Sequence, residues 1–324
     1  MTLLALVPVL PLLTAFIVLT GERAEQEQNA KAALWPIVAT FVGAVATLIV
    51  VSTQGPITLR LYDPASTATL AFPIGFHIDR LSAVMMVLIS LVGTLIYRYS
   101  LGYMYQDRCY RRYLGLLGIT TFVLLCMVSS ANLVMLFVFW QIISWLLFLL
   151  AHNHAHAATL DGAFRTFTML RFPFPPLSST ALGIINAGGF LLNRLAPLYG
   201  LSPTTLHVVF VVGMLTALLG ATMMLTQNDI KKTLGFSTIG QMGYMIMECG
   251  LGAFSLAVFH LIAHGLFKAT VFLNCGNVIH KARQEPSFPQ AAHKADDQEF
   301  SGLTWSTGFF TTLFLPLVIL LATH

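Results

Sequence analysis

Residues 259–280 read FHLIAHGLFKATVFLNCGNVIH, an apolar run broken by His260, His264 and Lys268. The three polar residues recur at every fourth position. Helical spacing therefore stacks them along one face. The run extends over residues 254–279, long enough to cross a bilayer. Lys268 stands near its middle, about twelve residues or ~18 Å of helix from either end, too deep to reach the interface by snorkelling. A lysine at that depth costs about 2.5–3.5 kcal/mol on insertion scales. A charge kept at such a cost points to proton handling. A lysine deprived of water can release its proton near neutrality, and histidines titrate in the same range and can pass protons along a file. Two other readings stand beside this one. The histidines could simply hydrogen-bond neighbouring helices while Lys268 pairs with a buried carboxylate, or His260 and His264 could share a metal. No carboxylate or cysteine in the helix is placed to complete a metal site.

The rest of the chain agrees with lipid as the solvent. Of 324 residues, 56% are hydrophobic and 9% charged, against about 25% charged in a typical soluble domain. About ten candidate spans follow one another: residues 2–19, 33–51, 81–97, 114–128, 132–151, 177–195, 205–225, 234–250, 254–279 and 303–322. The expected fold is an all-α polytopic transmembrane helix bundle forming one integral membrane domain over residues 1–324. The N-terminal run lacks a positive n-region and a small-x-small cleavage site, and reads as a retained first helix.

Loop charge tests the count. Arg23, Lys31, Arg98, Arg108, Arg111, Arg112, Arg165, Arg171, Lys231, Lys232, Lys281, Arg283 and Lys294 all fall in odd-numbered loops. The even loops hold Arg60, Arg80 and Arg194. This asymmetry puts the odd loops in the cytoplasm and both termini on the other side. The net charge of +4 thus reflects orientation, and no nucleic-acid partner is expected. The four cysteines lack ligand spacing and read as small apolar fillers. Residues 53–73 alternate polar with apolar residues, as a short hairpin would. Residues 280–301 read as a solvated loop.

A second polar stretch is TQNDIKKTLGFSTIGQMGYM, residues 226–245. Asp229, Lys231 and Lys232 mark a cytoplasmic boundary. Ser237 and Gln241 then run into the next span, where they join a wet path or hold helices together. Glu248, near the end of that span, is a candidate partner or proton-exit group. Gln141 sits within FVFWQIISWLLFLLAH (137–152); its amide can hydrogen-bond but cannot exchange a net charge. His152, His154 and His156 suggest a solvated loop, with metal capture as the weaker reading. Asp79 and Arg80 in FHIDRLS suggest a boundary ion pair. His280 lies three turns beyond Lys268.

Together, residues 226–245 and 260–280 resemble the core of the proton-conducting antiporter-like membrane subunits. These include subunits of respiratory complex I, the large Mrp antiporter subunit and DabB, the membrane subunit of a bacterial inorganic carbon pump. FHIDRLSAVMMVLISLVGTLIYRYSLGYM (76–104) matches the family's early helices and residues 137–152 its fifth. The resemblance covers most of residues 70–285. GAFRTFTMLR (162–171) and GIINAGGFLLNRLAPLYG (183–200) resemble DabB-type members most. The resemblance implies a transport subunit of a bacterial inner membrane rather than an enzyme, with Lys268, His264 and His260 as the proton relay and Gln141, Glu248, Ser237, Gln241 and His280 beside it. It implies no cofactor in this chain. It also implies a cytoplasmic DabA-like partner carrying zinc and resembling a β-carbonic anhydrase, with protons or another cation as the coupling ion. A complex I- or Mrp-like subunit and a non-conducting membrane anchor are the alternatives. The chain departs from the pattern in three ways. Gln141 replaces a glutamate of complex I-type members. Further helices, with another lysine, are missing where MLR (ending at Arg171) passes to FPFPPLSST. No histidine precedes the AGG turn.

Overall fold

A computed structural model describes residues 7–22, 26–62, 74–105, 109–151, 187–227 and 230–284. Among these residues the chain forms ten helices: α1 (Leu10–Thr20), α2 (Gln26–Ala32), α3 (Leu34–Gln54), α4 (Arg80–Tyr103), α5 (Tyr110–Val128), α6 (Leu133–Ala151), α7 (Ala187–Tyr199), α8 (Pro203–Leu225), α9 (Ile230–Gly250) and α10 (Phe254–Gln284). Two strands, β1 (Ile57–Tyr62) and β2 (Ile74–Ile78), pair antiparallel between α3 and α4. The chain divides into two units, Met1–Gly276 and Asn277–His324. Of the second, only the end of α10 is described.

Six stretches among the described residues are long and apolar enough to cross a membrane: Gln26–Gln54, Arg80–Tyr103, Tyr110–Val128, Leu133–Leu150, Pro203–Leu225 and Phe254–Val271. A shorter apolar helix covers Val7–Thr20. The α9 helix is long enough but too polar to join that set, because Ser237, Thr238, Gln241 and Glu248 interrupt it. Ser237, Gln241 and Glu248 bond to side chains of α10, and the Thr238 hydroxyl donates back to the Leu234 carbonyl, which spares these groups contact with lipid. The expected sixth span is described only as α7, which runs on to Tyr199 with Pro197 inside its last turn. The expected last span, residues 303–322, lies outside the described residues, as do His152, His154 and His156.

Two facts refine the all-α expectation. The alternating segment does form strands, but the second begins at Ile74, just past the expected hairpin. The β2 backbone is held on both sides. It pairs with β1, and the His77 N–H donates to the Ser129 carbonyl (2.8 Å) while the Ala131 N–H donates to the Gly75 carbonyl (3.1 Å). The sheet thereby braces the turn between α5 and α6.

Local sequence explains the helix ends that matter. Asp79 caps α4, its carboxylate accepting the Ser82 N–H at 2.8 Å, which satisfies one of the orphan donors of the first turn. Ser202 caps α8, with Pro203 at the first helical position. Beyond α9, Gly252 adopts φ 76°, a left-handed conformation that glycine accepts without strain. The Ala253 N–H then donates to the Glu248 carbonyl and the Gly252 N–H to the Cys249 carbonyl, both at 3.0 Å. This is the hydrogen-bond pattern of a glycine-terminated helix. It turns the chain back so that α10 starts beside the last turn of α9.

The helices are packed by shape. In lipid there is no hydrophobic drive between helices, so close approach of small residues and polar contacts hold them. The α8–α9 seam shows this. A Cβ built on Gly243 would stand 2.3 Å from the Ala217 nitrogen, one on Gly213 would stand 2.3 Å from the Met247 nitrogen, and one on Gly220 would stand 2.4 Å from the Gly240 nitrogen. The other side of α8 exposes Val208, Val211, Leu215, Leu218 and Leu219, an apolar face suited to lipid.

Candidate functional site

The polar residues of α9 and α10 meet one another. Lys268 is 3% exposed and His264 6%. The Lys268 ammonium donates to the Ser237 hydroxyl at 3.0 Å and to the Leu234 carbonyl at 3.1 Å, both on α9. Among the described residues no carboxylate pairs with Lys268, so the simple ion-pair reading finds no support there. Among the described residues the buried ammonium is held by neutral oxygens, which compensate its charge less than a carboxylate would.

One turn toward the start of α10, both ring nitrogens of His264 are buried and have no hydrogen-bond partner among the described residues. Buried polar atoms are seldom left bare, so this position suits a transient partner such as water or a proton donor. The next turn brings His260, whose ring centroid lies 6.4 Å from that of His264, edge to face. His260 is bonded at both nitrogens: Nδ1 to Glu248 Oε1 at 2.9 Å and Nε2 to Gln241 Oε1 at 2.7 Å. Ser237, Gln241 and Glu248 therefore supply, from one face of α9, the partners for the file on α10. Their spacing of four and then seven residues keeps them on that face.

The remaining expected residues lie elsewhere. Gln141 is half-buried on α6, and among the described hydrogen bonds none joins it to the file. Asp229 and the side chains of Lys231, Lys232 and His280 lie outside the described residues. Among the described residues no group of three or more His, Cys, Asp or Glu could hold a metal.

The boundary ion pair is corrected. Asp79 pairs with Arg194 of α7, which lies far along the chain, rather than with its neighbour Arg80. Adjacent residues at a helix start point in different directions, and Asp79 is already turned toward its own first turn as a cap. Burial acts to raise the Asp79 carboxyl, but the Ser82 N–H and the Arg194 guanidinium outweigh it and hold it below the ordinary carboxylate value. The pair ties α7 to the start of α4. On α7, Asn193 also reaches α9, donating to Cys249 Sγ at 3.6 Å. Neither role was foreseen from the sequence. The one available signal was a charged and an amide residue together, Asn193 and Arg194, in an otherwise apolar helix.

Comparison with known proteins places this architecture. A family model described as the transmembrane region of the NADH:quinone oxidoreductase/Mrp antiporters matches residues 173–323, and one described as the N-terminus of complex I chain 5 matches residues 65–114. A protein of Halothiobacillus neapolitanus named as a probable inorganic carbon transporter subunit, DabB1, is 35% identical, covering all of this chain and 71% of that protein. The chain belongs to the antiporter-like membrane subunit family. The alignment to that family member runs over 404 positions against 324 residues here, so the matched region of the relative is longer than this chain. Another member, subunit 5 of an NAD(P)H-quinone oxidoreductase of Paulinella chromatophora, is 30% identical, covering 85% of this chain and 54% of that protein. The chain thus spans only about half of this family member's length. Among solved structures, the Mrp complex of Dietzia sp. superimposes with a TM-score of 0.68 at 22% identity, over 86% of this chain and 38% of that one. A chain of an archaeal membrane-bound sulfane sulfur reductase gives 0.64 at 16%, over 86% and 71%. At these identities the likeness establishes the shared antiporter-like fold. The chain itself is thus a multi-span, antiporter-like membrane subunit of the cation-translocating kind.

Proposed function

We propose that this chain is the membrane subunit of a proton-coupled inorganic carbon uptake complex in a bacterial inner membrane, with both termini outside the cytoplasm. The observation that carries the reading is the buried Lys268, held by Ser237 and Leu234 of α9 and continued by His264 and His260 on its own helix. Lys268 serves as the switching proton carrier. It loses its proton toward one side when its neutral partners cannot hold the charge, and regains it through the histidines. Ser237 steadies the ammonium, and the bare nitrogens of His264 accept and return the proton between His260 and Lys268. The likeness to a protein named as an inorganic carbon transporter subunit supports the choice of cargo. On this reading a cytoplasmic, DabA-like partner with a zinc site of the carbonic-anhydrase kind hydrates CO2, and proton entry through this chain drives that step in one direction.

The test is growth of a carbonic-anhydrase-deficient host in air. The chain expressed with its partner should restore growth, and Lys268→Ala should abolish the rescue. Full rescue by Lys268→Ala would sink the proton-relay role. A complex I- or Mrp-like subunit is the second reading, favoured by the oxidoreductase relatives. It predicts genes for quinone-reductase or Mrp subunits beside this one, in place of a carbonic-anhydrase-like gene.

A further inference from the structure

The α6 helix is apolar throughout except for Gln141 and Ser144. Ser144 is satisfied on its own helix, its hydroxyl donating to the Trp140 carbonyl at 3.0 Å. Among the described hydrogen bonds none involves the Gln141 amide. Around it, Val134, Phe137, Val138, Ile142 and Trp145 are exposed. At 3.6 residues per turn, Val134, Phe137, Val138 and Trp145 lie within about 60° of Gln141 around the helix. The buried Leu136, Ile143 and Leu147 lie about 120° or more away. Gln141 is thus central on the uncovered face, at the middle of a 19-residue helix. From this we infer that this face of α6 is the contact between two copies of the chain, related by a two-fold axis along the membrane normal, with the two Gln141 amides bonded to each other.

Lipid is a poor occupant for this face. Hydrocarbon offers no hydrogen bond, so a bare amide at mid-depth is costly, whereas amides shared between helices draw them together in membranes. The exposed face of α8 differs, because its Thr222 is satisfied by the Leu218 carbonyl of its own helix. The chemistry of Gln141 selects a second copy. A primary amide carries both N–H donors and a carbonyl acceptor, so two of them face to face close a reciprocal pair of bonds. A carboxylate in the same place would meet a like charge instead. Copies of one chain insert in the same orientation, because the same loops carry the same charges. A two-fold axis along the membrane normal then sets each residue opposite itself at equal depth. Gln141 thereby meets its complement without any other protein having to offer one at the right height. The chain is also shorter than the matched region of its Halothiobacillus relative, 324 residues against 404 aligned positions, which leaves less of its own length to cover the face. The inference is independent of the proton-relay reading, since α6 contributes no partner to the file among the described hydrogen bonds.

The test uses the full chain in liposomes, with donor-labelled and acceptor-labelled populations mixed and then diluted in lipid. Energy transfer should fall along a monomer–dimer curve, and single particles at high density should bleach in two steps. Gln141→Leu, which inserts more readily than the wild type, should move the midpoint to about tenfold higher density of chain in lipid, the scale of an interhelical polar contact. Val211→Leu, on the exposed face of α8, should leave the midpoint unchanged. As a second measurement, Val134→Cys or Val138→Cys should give a disulfide-linked pair under mild oxidation, and Val211→Cys should give no more than the wild-type background. A chain monomeric at every density would overturn the proposal and assign the face to lipid or to a different subunit. A wild-type midpoint in Gln141→Leu, or cross-linking through Val211→Cys with none at 134 and 138, would overturn it by showing that the copies meet elsewhere.

Discussion

Replacing Gly243 with alanine tests whether the α8–α9 seam sets the geometry of the proposed proton path. The added Cβ would stand 2.3 Å from the Ala217 nitrogen, 2.8 Å from its Cα and 2.9 Å from the Gly213 carbonyl oxygen. These are backbone atoms of the facing helix, so no side chain can rotate to make room. Carbon contacts settle at about 3.5–4.0 Å, and the two helices must separate by roughly 1 Å. Overpacking of this kind costs about 1–3 kcal/mol. The strain also reaches function, because α9 carries Ser237 and Gln241 on its other face. Pushed off α8, α9 moves toward α10, and bonds of 3.0 Å to Lys268 and 2.7 Å to His260 have no room to shorten by that amount, so α10 must shift and the contacts lose their geometry. Gly102, where an added Cβ meets nothing within 4 Å, provides the control. Thermal unfolding in detergent should show Gly243→Ala clearly destabilised and Gly102→Ala near wild type, and proton flux in liposomes should fall only in the first. Equal stability and flux in the two variants would refute the argument that close backbone approach positions the site.

Ser237→Ala removes one of two oxygens holding the Lys268 ammonium. Hydrogen bonds to charged groups contribute about 1.5–3 kcal/mol, so flux through liposomes should fall about tenfold or more, and Ser237→Thr should recover most of it. The Asp79 carboxyl is held below its ordinary value in the folded chain. Its contribution to stability is therefore complete above the unfolded value of about 4 and is lost as pH falls through the lower folded value. Unfolding midpoints followed into acid should show that loss in wild type, and Asp79→Asn should flatten it. Arg194→Gln should reduce the same acid dependence, because it removes the guanidinium while leaving the Ser82 cap.

The candidate path was partly legible because periodicity reports which residues share a helix face. The spacing of His260, His264 and Lys268 put them in one file without any knowledge of neighbours. The partner side was harder to read. Ser237, Gln241 and Glu248 were recognisable as polar residues in a span, but which of them would touch which member of the file depends on the register of α9 against α10. That register follows from the tight reversal at Gly252, a conformation invisible in composition. The Asp79–Arg194 pair was misread for a related reason. Sequence proximity suggested Arg80, whereas capping turned the carboxylate away from it and toward a helix more than a hundred residues later.

The sequence by itself determined that the chain is a membrane bundle, because hydrocarbon admits only long apolar helices whose backbone bonds are internal. It also determined that Lys268 sits deep, since depth is a count of residues along one helix. The tertiary structure alone decided what surrounds that lysine. Neutral oxygens of α9 hold it, the carboxylate available on that helix is spent on His260, and the glycines of the α8–α9 seam bring two backbones close enough to hold α9 in place. Partners across a helix interface depend on rotation and offset between helices, and packing between distant segments sets both.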